Sequence, residues 1–224
     1  MDIEPADEGP HEGCIDEWWF GWWRPDGVAG LCGHRADERS RTLGYWWVWR
    51  VPGEPLLHIS DWNVRMRSSL GLVKGELLWA EHLCESPHRQ WTVSNESRAA
   101  AVDDPKEIAR TGFGVPTPVA SDLEWYATAS AASLDSGTGY QQVGVMHGVV
   151  EVLGRPTIEI EEVSAWRCHR WWPIGSEPEG GLFPRQSAQQ VDAVIAGPEH
   201  SYMALGLTAE GWVEVSLPST DHGA

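Results

Sequence analysis

The sequence predicts an all-β fold: an antiparallel barrel or β-sandwich with few short helices. Three observations lead there. Apolar and polar residues alternate with period two through short segments that Gly, Pro, Asp and Ser interrupt. No amphipathic helix of ordinary length can be traced, which disfavours α/β architectures. The chain also carries 15 Trp against 3 Phe and 4 Tyr. So many large rigid rings, each with one N–H to satisfy when buried, require a Trp-filled core or a ligand surface.

The elements follow in chain order. Residues 1–14 (MDIEPADEGPHEGC) are acidic and Pro/Gly-rich and are expected to be flexible. A single β domain is expected over 15–217, with a flexible tail over 218–224. IDEWWFGWWR (15–24) is read as a strand with Trp18, Phe20 and Trp22 on one face and Trp19 and Trp23 on the other. TLGYWWVWR (42–50) repeats the pattern, with Tyr45, Trp47 and Trp49 opposed to Trp46 and Val48. A strand apolar on both faces is buried on both, or turns one face to a ligand cavity. Further strands are expected over 27–35, 56–66, 75–85, 89–97 and 119–130. Residues 104–111 should form the one helical turn, with Asp104 as cap and Pro105 at its first position. GFGVPTP (112–118) reads as a loop. Residues 140–154 and 155–172 read as two long strands with Gly154 in the bend, then a Pro/Gly-rich loop over 173–184 and a terminal meander.

The formal net charge of −17 repels phosphate backbones and anionic lipid, so neither nucleic acid nor a membrane surface is an expected partner. No apolar run of about 18 residues exists, so no membrane span is expected. Cys14, Cys32, Cys84 and Cys168 are scattered, which argues against a disulfide scaffold and against a structural zinc site. With no secretion signal at the start, a reduced, cytoplasmic setting is the expectation.

No phosphate-cradling loop, zinc-protease motif or nucleophile elbow is present. The expectation is therefore no metal and no cofactor. What remains are isolated acids and imidazoles beside indoles. Asp16 and Glu17 open the first Trp strand, and Glu124 adjoins Trp125. Period-two alternation from Ile158 and Ile160 puts Glu162 on the buried face and Glu161 in solvent. A buried carboxylate can serve as a general acid. His147 shares a face with Val143, Val145 and Val149, whereas His169 sits in the aromatic run WRCHRWW. Arg167 and Arg170 in that run can stack on Trp at a strand end.

The run YQQVGVMHGVVEVLGRPTIEIEEVSAWRCHRW (140–171) resembles a segment of the hydroxyneurosporene synthase-like and related calycin-type proteins. The matching positions are Tyr140, Gln142, Gly144, Gly148, Gly154, His169 and Trp171. The resemblance extends over about residues 75–172. It implies a lipocalin-like β-barrel that holds a lipophilic molecule, in some members with hydration, cyclisation or pericyclic chemistry and no cofactor.

Three readings stay open on the sequence. The first is a pocket for a lipophilic or aromatic small molecule, walled by Trp91, Trp125 and Trp171 and contacted by Gln142 and His147. His169, with Glu124 or Glu162, would move the proton in any lyase or isomerase step. The second is a carbohydrate-binding or glycoside-processing protein, in which two carboxylates flank the bond. The third is a structural or partner-binding protein whose WWFGWW and YWWVWR strands form an interface, which leaves a homodimer open.

Overall fold

The computed structural model describes residues 3–67, 71–110, 113–135, 138–176, 181–187, 190–198 and 201–217. The expected tail over 218–224 lies outside them. The strands are β1 (Cys14–Trp23), β2 (Ala29–Asp37), β3 (Thr42–Arg50), β4 (Leu56–Arg65), β5 (Leu72–Lys74), β6 (Leu78–Ser86) and β7 (Gln90–Val102). They continue as β8 (Val115–Ala127), β9 (Ala132–Ser133), β10 (Gly139–Val152), β11 (Ile158–Pro173), β12 (Ala193–Ala196), β13 (Tyr202–Thr208) and β14 (Gly211–Glu214). The all-β, antiparallel prediction is therefore met.

Eight strands form a ring. The order β4-β3-β2-β1-β11-β10-β8-β7 is closed by β7 returning to β4 through Leu57↔Ala101 and its neighbours. Closure leaves no sheet edge along that seam. The other half of β7, Gln90–Ser97, pairs with β6, and β5 follows β6. The helical turn is a 3₁₀ turn at Pro105–Ala109, and the Asp104 carboxylate accepts the Lys106 N–H at 3.0 Å.

Residues 112–118 correct the expectation of a loop. Val115–Pro118 belongs to β8 and pairs with Arg98–Ala101 of β7. Pairing of β8 with β10 starts only at Val119. Pro116 and Pro118 therefore sit where β8 has one neighbour, the setting in which a strand tolerates a missing N–H.

The two-faced Trp strands are buried twice over. Trp18, Phe20, Trp22, Tyr45, Trp47 and Trp49 point into the barrel with Trp91, Trp125 and Met146. Trp19, Leu31, Trp46 and Val48 point outward. There a second sheet, ordered β12-β13-β14, covers them with Val194, Leu205 and Trp212. Polar ties pin the cover: Trp212 Nε1 donates to Gly30 O (3.1 Å), Trp62 Nε1 to Ala196 O (2.5 Å) and Arg50 Nε to Asp192 Oδ1 (3.0 Å). Inside, the rings lie flat on glycines of the next strand. A Cβ on Gly30 would sit 2.1 Å from the Trp22 ring, and one on Gly144 2.6 Å from Trp125. Neither position accepts a side chain without moving its indole.

The acidic lead-in corrects another expectation. Pro5–Glu8 is a 3₁₀ turn, and Glu8 is buried. The segment crosses the barrel mouth as a strap rather than hanging free, because the Glu8 carboxylate meets a buried guanidinium. No helix of the described residues is long and apolar enough to cross a membrane.

Candidate functional site at the barrel mouth

Ladder register decides which side chains meet. Residues directly opposite in antiparallel strands share a face. In β1, Phe20 faces Arg167, Trp18 faces His169, and Asp16 faces Trp171. In β10, Tyr140 faces His169 and Gln142 faces Arg167. In β2, His34 faces Trp18. All of these point inward near one end of the barrel, where the strap crosses.

Arg167 is the centre of this end and is 1% exposed. Its Nη1 and Nη2 donate to Glu8 Oε2 (2.9 Å) and Oε1 (2.6 Å), a two-point pair. Its Nε and Nη2 also donate to Gln142 Oε1 at 3.0 and 2.6 Å. Three rings surround the guanidinium: Trp125 at 4.9 Å, Tyr140 at 5.1 Å and Trp91 at 5.6 Å from its carbon. Tyr140 Oη donates to Glu8 Oε2 at 2.6 Å, and the His88 N–H donates to Glu8 Oε1 at 2.5 Å. Burial pushes the Glu8 pKa up, but the Arg167 charge and these donors outweigh it and hold the carboxyl below its ordinary range. Among the described residues, the only carboxylate hydrogen-bonded to Arg167 comes from the strap and none from the barrel wall.

A column of imidazoles lies alongside. Trp18 is stacked between His169 (4.3 Å between centroids) and His34 (4.5 Å). His34 Nδ1 lies 2.8 Å from His82 Nδ1. One donates and the other accepts, so the accepting ring is not protonated at that contact. Burial lowers both, with His82 pushed down to about 3 and His34 lowered further by His82 and His169. His169 is fully buried, and both its nitrogens face acceptors: Nδ1 meets Asp7 O at 2.8 Å and Nε2 meets Asp16 Oδ1 at 2.9 Å. Asp16 Oδ1 also lies 2.8 Å from His11 Nδ1. A neutral imidazole has one N–H, so with His169 neutral only one of these two contacts can be a hydrogen bond from the ring. Burial lowers the His169 pKa against the opposing pull of Asp16.

Deeper in the barrel, the wall offers donors that no described residue accepts. Trp22, Trp47, Trp91 and Trp125 Nε1 and Tyr45 Oη are all buried without a hydrogen-bond partner among the described residues, and all five residues belong to the interior cluster. Buried donors normally find a partner. Outside, an open cleft of about 1040 Å³ lies against the mouth, lined by Pro87, His88, Tyr126, Thr128 and Gln142. Gln142 forms the partition, because its Nε2 bonds His88 O and Ala129 O while its Oε1 holds Arg167.

The structure brings together His169, Trp91, Trp125 and Gln142 of the sequence-predicted residues. Trp171 stands at the rim, stacked on His11 at 3.8 Å. The remaining three do not join them. Glu124 is exposed on the outer face of β8 and accepts from Tyr126 Oη at 2.6 Å. His147 also lies on the outer wall, edge-on to Tyr126. Glu162 is exposed, against the alternation argument. The register passes from Met146↔Val163 to Gly148↔Ile160, so Glu161 and Glu162 together oppose one residue, and Glu162 takes a φ of 50°. That bulge inverts the facing of Glu162. Neither acid can act with His169; the carboxylate beside it is Asp16. Sequence reasoning missed Glu8 and His11, both in the supposed loose lead-in. The available signal was Arg167, since a buried arginine needs a counterion and the lead-in is acid-rich. No protein-family model, curated protein or solved structure matches this chain, and its function is read from the barrel mouth itself.

Proposed function

We propose that the barrel binds an apolar or aromatic small molecule that carries a carboxylate head and oxygen acceptors along its body. The observation that carries this reading is the lumen wall itself. It supplies a caged guanidinium and a set of unpartnered indole and phenol donors, while the carboxylate on Arg167 comes from a strap. A guanidinium flanked by aromatic faces suits a planar anionic group attached to an apolar body. In the strapped state Glu8 stands where the head group would bind, and the 1040 Å³ cleft beside Gln142 is the approach. The resemblance of residues 75–172 to calycin-type proteins points the same way. If a proton moves, the available pair is His169 with Asp16.

Titration of intrinsic Trp fluorescence with apolar and aromatic carboxylic acids and their methyl esters tests this. The acids are expected to quench and the esters to bind more weakly; Glu8→Gln should tighten acid binding by loosening the strap. Equal binding of acid and ester, or no response in either protein, contradicts it.

The carbohydrate reading keeps one specific place, an outer groove of about 530 Å³ lined by Trp23, Trp166, Phe183, Glu162 and Glu210. It predicts that oligosaccharides perturb this groove and that Glu162→Gln abolishes any hydrolysis.

A further inference from the structure

We propose that His11, Asp16 and His169 form a binding site for one divalent first-row transition metal, with Zn²⁺ the best match. The ligand atoms are His11 Nδ1, Asp16 Oδ1 and His169 Nε2, which lie within 4.8 Å of one another. None of the three ligands hydrogen-bonds Arg167, although His11 lies on the strap that carries Glu8.

The geometry of the outer contacts argues for a cation. A backbone carbonyl only accepts, so the 2.8 Å contact with Asp7 O makes His169 Nδ1 the protonated nitrogen. In the neutral ring the Nε2 lone pair then points at the Asp16 carboxylate 2.9 Å away, two acceptors face to face. A metal-bound histidine commonly gives its other N–H to a carbonyl in this way. Asp16 is held similarly, since its Oδ2 accepts the His11 backbone N–H at 3.0 Å and leaves Oδ1 for the shared position. Bonds of about 2.0–2.1 Å at a tetrahedral centre put ligand atoms ~3.3 Å apart. The observed contacts of 2.8 and 2.9 Å therefore need to open by a few tenths of an ångström. His11 can supply that movement for its own contact, because it sits on the strap and is 22% exposed; the Asp16–His169 contact has to open between β1 and β11. Two imidazoles among three ligands favour Zn²⁺ over Mg²⁺ or Ca²⁺, which prefer all-oxygen sets. A bound ion would join the strap (His11) to β1 (Asp16) and β11 (His169), and so fix the cover over the mouth.

The full chain, stripped with chelator and dialysed, is titrated with Zn²⁺ and with Mg²⁺ by calorimetry. One Zn²⁺ per chain and no Mg²⁺ binding are expected. His11→Gln and Asp16→Asn should each weaken Zn²⁺ by about tenfold or more, and Co²⁺ should give the visible bands of a tetrahedral complex. A second readout needs no variant: carbethoxylation mapped by mass spectrometry. His11 should react in the stripped protein and be protected by Zn²⁺ but not Mg²⁺, while His147 on the outer wall reacts in both states. Absence of stoichiometric Zn²⁺ binding, binding unchanged in both variants, or His11 reactivity indifferent to Zn²⁺ overturns the proposal.

Discussion

The inner and outer walls of the barrel use the same residue, tryptophan, in opposite ways. On the outside the indole N–H groups mostly close hydrogen bonds within the protein: Trp19 to Glu17, Trp62 to Ala196, Trp166 to Gln141 and Trp212 to Gly30. Trp46 and Trp172 lack such a partner, but Trp46 stacks on Trp62, and Trp172 lies beside the guanidinium groups of Arg35 and Arg170. On the inside, Trp18 finds an acceptor among the described residues, the carbonyl of Glu8 on the strap. Trp22, Trp47, Trp91 and Trp125 do not. Two of these outer bonds, Trp62 to Ala196 and Trp212 to Gly30, fasten the three-stranded cover to the barrel. The inner indoles line the barrel interior with buried donors that no described residue accepts, and donors left over in this way are what the proposed ligand would satisfy.

The largest expected effect falls on the one inner pair that is fully met. Glu8→Ala leaves Arg167 buried and without a counter-charge, and should cost about 3–5 kcal/mol in urea unfolding. A loss below ~1 kcal/mol would mean that Gln142 and the rings suffice. Next comes a matched pair of glycine changes. Gly144→Ala drives a methyl into inner Trp125, and Gly44→Ala drives one into outer Trp62, at 2.6 and 2.3 Å. Each should cost about 1–3 kcal/mol as overpacking, but only Gly144→Ala should also impair ligand binding. If both impair it, the walls are not functionally distinct.

A pH dependence follows from the imidazoles. Burial pushes His82 down to about 3 and His58 down to about 4. His82 faces His34, Tyr45 and Phe20, with no acid hydrogen-bonded to it. Both groups are depressed in the folded state. Below an unfolded pKa of about 6.5 the unfolded chain takes protons that the folded one refuses. Their contribution is complete above ~6.5 and shrinks as pH falls, by up to about 1.4 kcal/mol per pH unit for each histidine. Glu8, also depressed, contributes to acid loss only below its ordinary value of 4.5. Urea unfolding between pH 6.5 and 4.5 checks the histidine window, and a flat profile there would refute neutral burial of His82 and His58. The smallest effect separates the walls by hydrogen bonding alone. Trp212→Phe should cost about 1 kcal/mol more than Trp47→Phe, because only the outer change deletes an intramolecular hydrogen bond.

Local alternation made much of the barrel legible. Trp18, Phe20 and Trp22 against Trp19, and Tyr45, Trp47 and Trp49 against Trp46, fall on the two faces that period two requires. Of the interior members of the site, His169 stood out by its aromatic run WRCHRWW, Trp91 and Trp125 as indoles of expected strands, and Gln142 through the resemblance of the run 140–171. Glu162 was not, because one extra residue in β11 reverses every facing beyond it and leaves no mark in composition. The strap was not legible either. Glu8 reaches Arg167 across 159 positions of sequence, and an acidic Pro/Gly-rich segment looks the same whether it docks or hangs free. What distinguishes the two cases is a buried cation elsewhere in the chain, and closure of the barrel is what places it.

Indole resonances in an ¹⁵N–¹H spectrum, recorded as an apolar carboxylic acid is added, test the division between the walls most directly. The account predicts that the Nε1–H signals of Trp47, Trp91 and Trp125 move as they acquire acceptors, while those of Trp19, Trp62 and Trp212 stay in place. Shifts confined to the outer indoles, or none at all with any acid, would contradict a binding lumen.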